Sequence, residues 1–104
     1  MLLFHALQDT HLVPIDPNST SGDGVVLIDM VHPTAEEDNQ VEQPLRIGVP
    51  TREDMAEIEI SSRLYRENHG IYMTASLLQR SEGPLPAASP VTFILAEGRL
   101  VTVR

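Results

Sequence analysis

Short apolar runs, separated by clusters of proline, glycine and polar residues, make up the hydrophobic pattern of this chain. Residues 2–8 and 11–15 each predict a short strand, with a bend at residues 8–10. Pro14 and Pro17 place the second strand at a sheet edge, because proline has no N–H to donate to a neighbouring strand.

Residues 17–24 predict a loop, since they combine turn-forming residues with two glycines. The next run, Val-Val-Leu-Ile at residues 25–28, is continuously apolar. Such a run is typical of a strand that is buried on both faces near the centre of a sheet. Asp29 interrupts the run, and we expect the strand to end there.

Thr34 and Glu37 have the spacing of a capping box and predict a helix from about Ala35 to Gln43. We expect it to end near Pro44, because proline in a helix interior breaks the hydrogen-bond ladder. Val41 and Leu45 are the main candidates for its buried side.

A second capping box, with Asp54 in place of the usual glutamate, pairs Thr51 with Asp54 and predicts a helix of about two turns. Met55, Ile58 and Ser62 fall on one side of this helix at helical spacing. We therefore expect that side to face the sheet.

Two hairpins follow. Apolar and polar residues alternate over 71–77, and Asn68-His69-Gly70 tolerates positive φ, so residues 62–67 and 71–78 should pair. The proline-rich run 80–90 predicts a loop before a hairpin of residues 91–96 and 99–104.

The predicted fold is α+β: one domain over residues 1–104, with a mixed, mainly antiparallel sheet of about six or seven strands and two short helices on one face.

The amino-acid composition excludes several classes of function and of binding site. The net charge is −8, there is no lysine, and the seven arginines are scattered, which argues against nucleic-acid binding and favours cations as partners. The absence of cysteine excludes disulfides and thiolate metal sites. No apolar run approaches the ~20 residues needed to cross a bilayer, so we expect a soluble chain. Because residues 100–104 are strand-like, without a closing turn, we also expect a piece of something longer.

No catalytic constellation is present in the sequence. His5, His11, His32 and His69 lack the spacing of zinc ligands, which favours exposed or locally hydrogen-bonded histidines. No serine lies in a Gly-x-Ser-x-Gly turn, and Gly22-Asp-Gly24 precedes a strand rather than the helix that a phosphate loop requires. We therefore expect a protein that is not an enzyme.

Carboxylates are concentrated around the second helix, at Glu53, Asp54, Glu57 and Glu59. Oxygen ligands of this kind suit Mg²⁺, which typically keeps several waters and uses one or two protein carboxylates. Helix capping and a solvated acidic side explain the same positions without a metal. From spacing alone the capping interpretation is favoured.

Several stretches, in order, resemble the CorA family of magnesium and cobalt transporters, over about Val26 to Arg104. They are Ile28-Asp-Met-Val-His-Pro-Thr-Ala-Glu-Glu37, Pro50-Thr-Arg-Glu-Asp-Met55, Glu57-Ile-Glu-Ile-Ser-Ser-Arg-Leu-Tyr65 with its hairpin, Pro90-Val-Thr-Phe-Ile-Leu95 and Leu100-Val-Thr-Val-Arg104. The resemblance is to the N-terminal cytoplasmic domain of that family.

The resemblance implies a homopentameric channel at the cell inner membrane, with its pore formed by transmembrane helices and a Gly-Met-Asn signature that this chain lacks. It further implies that Mg²⁺ or Co²⁺ is transported, and that Mg²⁺ bound between neighbouring subunits holds the channel closed. Glu53 and Asp54 are the candidate metal ligands, by placement rather than by a motif match. Two alternatives stay open: the cytoplasmic domain of a related zinc transporter, and a free-standing acidic module that binds a basic protein surface.

Overall fold

A computed structural model describes residues 1–15, 24–57, 64–79 and 87–104 of the chain. Within these residues, seven strands form a single sheet and two helices lie in the connection between the third and fourth strands. The elements are β1 (Leu2–Gln8), β2 (His11–Ile15), β3 (Val25–Met30), α1 (Ala35–Leu45), α2 (Arg52–Glu57), β4 (Leu64–Glu67), β5 (Gly70–Gln79), β6 (Ala87–Ala96) and β7 (Arg99–Val103). The predicted α+β class is confirmed.

The strand order across the sheet is β2-β1-β3-β7-β6-β5-β4. All neighbours are antiparallel except β3 and β7, which are parallel, so the sheet is mixed and mainly antiparallel, as predicted. β2 lies at an edge and carries Pro14, and β3 lies inside the sheet. The described part of the first predicted loop is Gly24 alone, and residues 16–23 lie outside the described residues.

β3 differs from its prediction in two ways. It continues through Asp29 to Met30, because Asp29 is paired with Leu3 on one side and with Thr102 on the other. It is also buried on one face rather than two: Val25, Ile28 and Met30 are buried. A bulge explains the spacing, since His5 pairs with Leu27 whereas Ala6 pairs with Val25.

The hydrophobic core lies between this face of the sheet and the two helices. Sheet residues Met30, Ile94 and Val101 are fully buried, and Val41 and Leu45 of α1 pack against the same cluster, as predicted. Met55 of α2 belongs to it as well. The cluster is completed by Val25, Ile28, Ile47, Tyr72, Ala96 and Val103.

The alternating residues of β5 do not place their more apolar side in the core. Tyr72 and Thr74 are buried, whereas Ile71 and Met73 are 41% and 46% exposed. Tyr72 is anchored by its hydroxyl, which donates to the carbonyl oxygen of Gly48 at 2.7 Å and accepts from the Gly48 N–H at 3.0 Å. A buried tyrosine is favourable when its hydroxyl is satisfied in this way, and the Tyr65 ring stacks on it with centroids 4.9 Å apart.

Helix α1 begins as predicted and ends later. The Thr34 hydroxyl accepts from the Glu37 N–H at 3.2 Å, and the Glu37 carboxylate accepts from the Thr34 N–H at 3.0 Å, which confirms the capping box. The helix runs on to Leu45 and includes Pro44 in its last turn. Arg46 then adopts a left-handed conformation and closes the helix with an N–H bond to the Glu42 carbonyl. Pro44 cannot donate the usual N–H bond to the Gln40 carbonyl, and the helix ends one residue after it.

The second hairpin also starts earlier than predicted. β6 begins at Ala87, so residues 87–90 are strand rather than loop, and residues 80–86 lie outside the described residues. β7 pairs only with residues 92–96, which makes residues 87–90 part of a sheet edge where Pro90 is tolerated. The first hairpin is confirmed from Leu64 onwards, with Asn68 at φ 54° in its turn.

Candidate functional site

Helix α2 carries the two carboxylates that the sequence singled out. Its N-terminus is fixed by the reciprocal bonds of the predicted capping box. The Thr51 hydroxyl accepts from the Asp54 N–H at 3.0 Å, and Asp54 Oδ2 accepts from the Thr51 N–H at 3.1 Å. Because these bonds use donors that lack a partner at the first turn of any helix, they hold this short helix in place.

Met55 attaches α2 to the sheet, since it is 3% exposed within the core cluster. Glu53 and Asp54 are both exposed on the same short helix. The prediction that this helix turns Met55 toward the sheet is confirmed, while the accompanying residues Ile58 and Ser62, as well as Glu59, lie outside the described residues. The structure thus presents Glu53 and Asp54 to solvent on a helix that is held against the sheet by Met55 and capped at its N-terminus.

A cleft of about 310 Å³ adjoins the start of α2 and opens between the two helices. Its walls include His32, Asp38 and Arg52, and Val103 also lines it. The Arg52 guanidinium Nη1 lies 2.9 Å from Nδ1 and 3.2 Å from Nε2 of His32, which links α2 to the segment between β3 and α1. The backbone N–H of His32 in turn donates to the backbone carbonyl of Arg104 at 2.8 Å.

Asp38 and Glu42 form an acidic pair that the sequence analysis did not single out. Burial, followed by the neighbouring Glu37 carboxylate, raises the pKa of Asp38. Burial and the charge of Asp38 raise the pKa of Glu42, against a lowering by the Val49 N–H. In the described part of the chain, Oδ1 of Asp38 has no hydrogen-bond partner. The spacing of Asp38 and Glu42 could have indicated this pair, because residues four apart on a helix are neighbours and like charges at that spacing repel.

Asp38→Asn is expected to raise the melting temperature at neutral pH. The Asp38 carboxyl has a higher pKa in the folded state, so it binds its proton more tightly there than in the unfolded chain. Its ionised form therefore destabilises the folded state, and this loss of stability develops as the pH rises from the unfolded to the folded pKa value. Thermal unfolding of both chains across acidic to neutral pH measures the effect. The advantage of the variant should shrink toward acid pH, and an advantage independent of pH would contradict the assigned cause.

The four histidines are spread over the fold. His11, His32 and His69 are exposed, as expected, whereas His5 is half-buried and its Nδ1 has no hydrogen-bond partner among the described residues. Within residues 1–15, 24–57, 64–79 and 87–104, no group of three or more histidine or carboxylate side chains could hold a metal ion.

Comparison with known proteins gives a consistent family. The chain is 26% identical over its whole length to a protein named magnesium transport protein CorA from Haemophilus influenzae, strain Rd, and 27% identical to the protein of that name from Pasteurella multocida. In each case it spans 33% of the relative. The Wolinella succinogenes protein of the same name is 33% identical over 85% of the chain and 28% of its own length.

The chain therefore spans about a third of the length of the curated relatives it matches. No protein-family profile matches the sequence. Neither helix in the described residues has the length and apolar character needed to cross a membrane. These matches agree in name and cover 85% to 100% of the chain, so the chain matches a fragment of the magnesium transport proteins of the CorA family.

Proposed function

We propose that residues 1–104 are a cytoplasmic regulatory domain of a CorA-like magnesium transporter, which senses divalent cations through Glu53 and Asp54. The observation that carries this proposal is that the entire chain is similar to a stretch covering one third of the length of proteins named for magnesium transport. Transport itself would be the work of other parts of such a protein. The domain contributes the acidic, outward-facing helix α2.

The chemistry of α2 supports a hydrated dication. Magnesium prefers oxygen ligands, dehydrates reluctantly and is commonly held by one or two carboxylates through its waters. Glu53 and Asp54 are exposed, so a hydrated ion can approach them without displacing protein contacts. A carboxylate has about four acceptor positions, so Asp54 can cap the helix and bind a metal-bound water at the same time.

A site formed by adjacent carboxylates of one helix is incomplete, and its remaining partner is a neighbouring subunit. In the proposed homo-oligomer, a pentamer by family resemblance, Mg²⁺ lies between α2 of one subunit and an oxygen ligand of the next. Loss of the ion leaves facing carboxylates unscreened, so the subunits repel one another. The closed arrangement is therefore favoured only while the ion is bound, because a ligand shifts a conformational equilibrium by its differential affinity for the two states.

Glu53→Gln is the sharpest test, because it removes a charge from α2 without touching the Thr51 and Asp54 cap. Mn²⁺, used as a paramagnetic substitute for Mg²⁺, is expected to broaden the amide signals of α2 first in a titration of the 104-residue chain followed by NMR. In Glu53→Gln the broadening should require several-fold more Mn²⁺. Glu36→Gln, an equal charge change at an exposed position of α1, is the matched control and should leave the α2 signals unaffected.

Two results would contradict the assignment. Broadening centred on Asp38 and Glu42 would move the ion to the acidic pair of α1. Equal effects of the α1 and α2 variants would show that the ion responds to the net charge of the chain rather than to a site. In a full-length transporter carrying this domain, Glu53→Gln should weaken inhibition of transport by Mg²⁺, and unchanged inhibition would rule out the regulatory role.

A further inference from the structure

We draw no further inference here: the strongest candidate, the apolar face of the sheet on the side away from α1 and α2, where Ile71, Met73 and Leu95 are exposed, carries no proposal because nothing in the structure shows what covers it.

Discussion

Ile94→Ala is expected to lower the free energy of unfolding by about 2–5 kcal/mol, the range for truncating a fully buried isoleucine. Ile94 is 0% exposed and lies in β6 beside Tyr72 of β5 and Val101 of β7. Neighbours on both sides are held by strand pairing, so they cannot collapse into the cavity that the substitution leaves. Urea or thermal unfolding followed by circular dichroism measures the loss.

Leu95→Ala is the matched control for that experiment. Leu95 is the next residue of the same strand, but it lies on the other face of the sheet, away from the core, and is 53% exposed. Its truncation should cost less than about 1 kcal/mol, because most of the side chain is already in water. Equal losses from the two variants would mean that the buried face of the sheet has been misassigned.

Gly70→Ala is expected to destabilise the chain by about 1–3 kcal/mol through overpacking. A Cβ at this position would lie 2.9 Å from Cε1 of Tyr72, 3.2 Å from Cγ2 of Ile94 and 3.3 Å from Cγ2 of Ile47. The tyrosine ring has little room to move, since it stacks on Tyr65 and its hydroxyl is bonded to the Gly48 backbone. Denaturant unfolding of the variant gives the value.

Gly48→Ala separates this packing effect from the general effect of replacing glycine. A Cβ at Gly48 would meet no atom within 4 Å, and its backbone lies outside the left-handed region. The substitution should be neutral or slightly stabilising, because alanine restricts the unfolded chain. A loss at Gly48 as large as that at Gly70 would contradict the steric explanation.

Much of this fold was predictable because its signals are local. Capping boxes act over three residues, so Thr34 with Glu37 and Thr51 with Asp54 identified both helix starts. Turn residues likewise act over a few positions, and Asn68 marked the first hairpin. The edge position of β2 followed from Pro14, since the missing N–H is a property of that residue alone.

Features that depend on distant residues were not predictable. Alternation over β5 revealed a strand, but the choice of its buried face depends on Gly48, whose backbone satisfies the Tyr72 hydroxyl. The length of β3 was underestimated because Asp29 looks like a strand end until Arg104 is seen to pair with its carboxylate and Thr102 to donate a hydrogen bond to it. The predicted start of β6 was too late, because Pro90 was read as a loop residue. Proline is excluded from a central strand but is tolerated at a sheet edge, which is where this part of β6 lies.

The candidate site shows the same division. The sequence located Glu53 and Asp54 on a capped helix, and the structure places both in solvent on that helix. It did not indicate that Asp38 and Glu42 would be the carboxyl groups with raised pKa values, because burial in the folded chain is the largest cause of that rise.

The parallel pairing of β3 with β7 has a consequence for folding kinetics. Apart from the packing of the helices, it is the one ladder among the described strands that joins the unit of β1, β2 and β3 to the hairpins of β4 to β7. Its partners are far apart in sequence: Asp29 and Thr102 are separated by 73 residues. Closing so long a loop costs entropy before any contact rewards it, so the two hairpin units should form early and associate late. A ribosome would have to release nearly all of these 104 residues before the central ladder of the sheet could form.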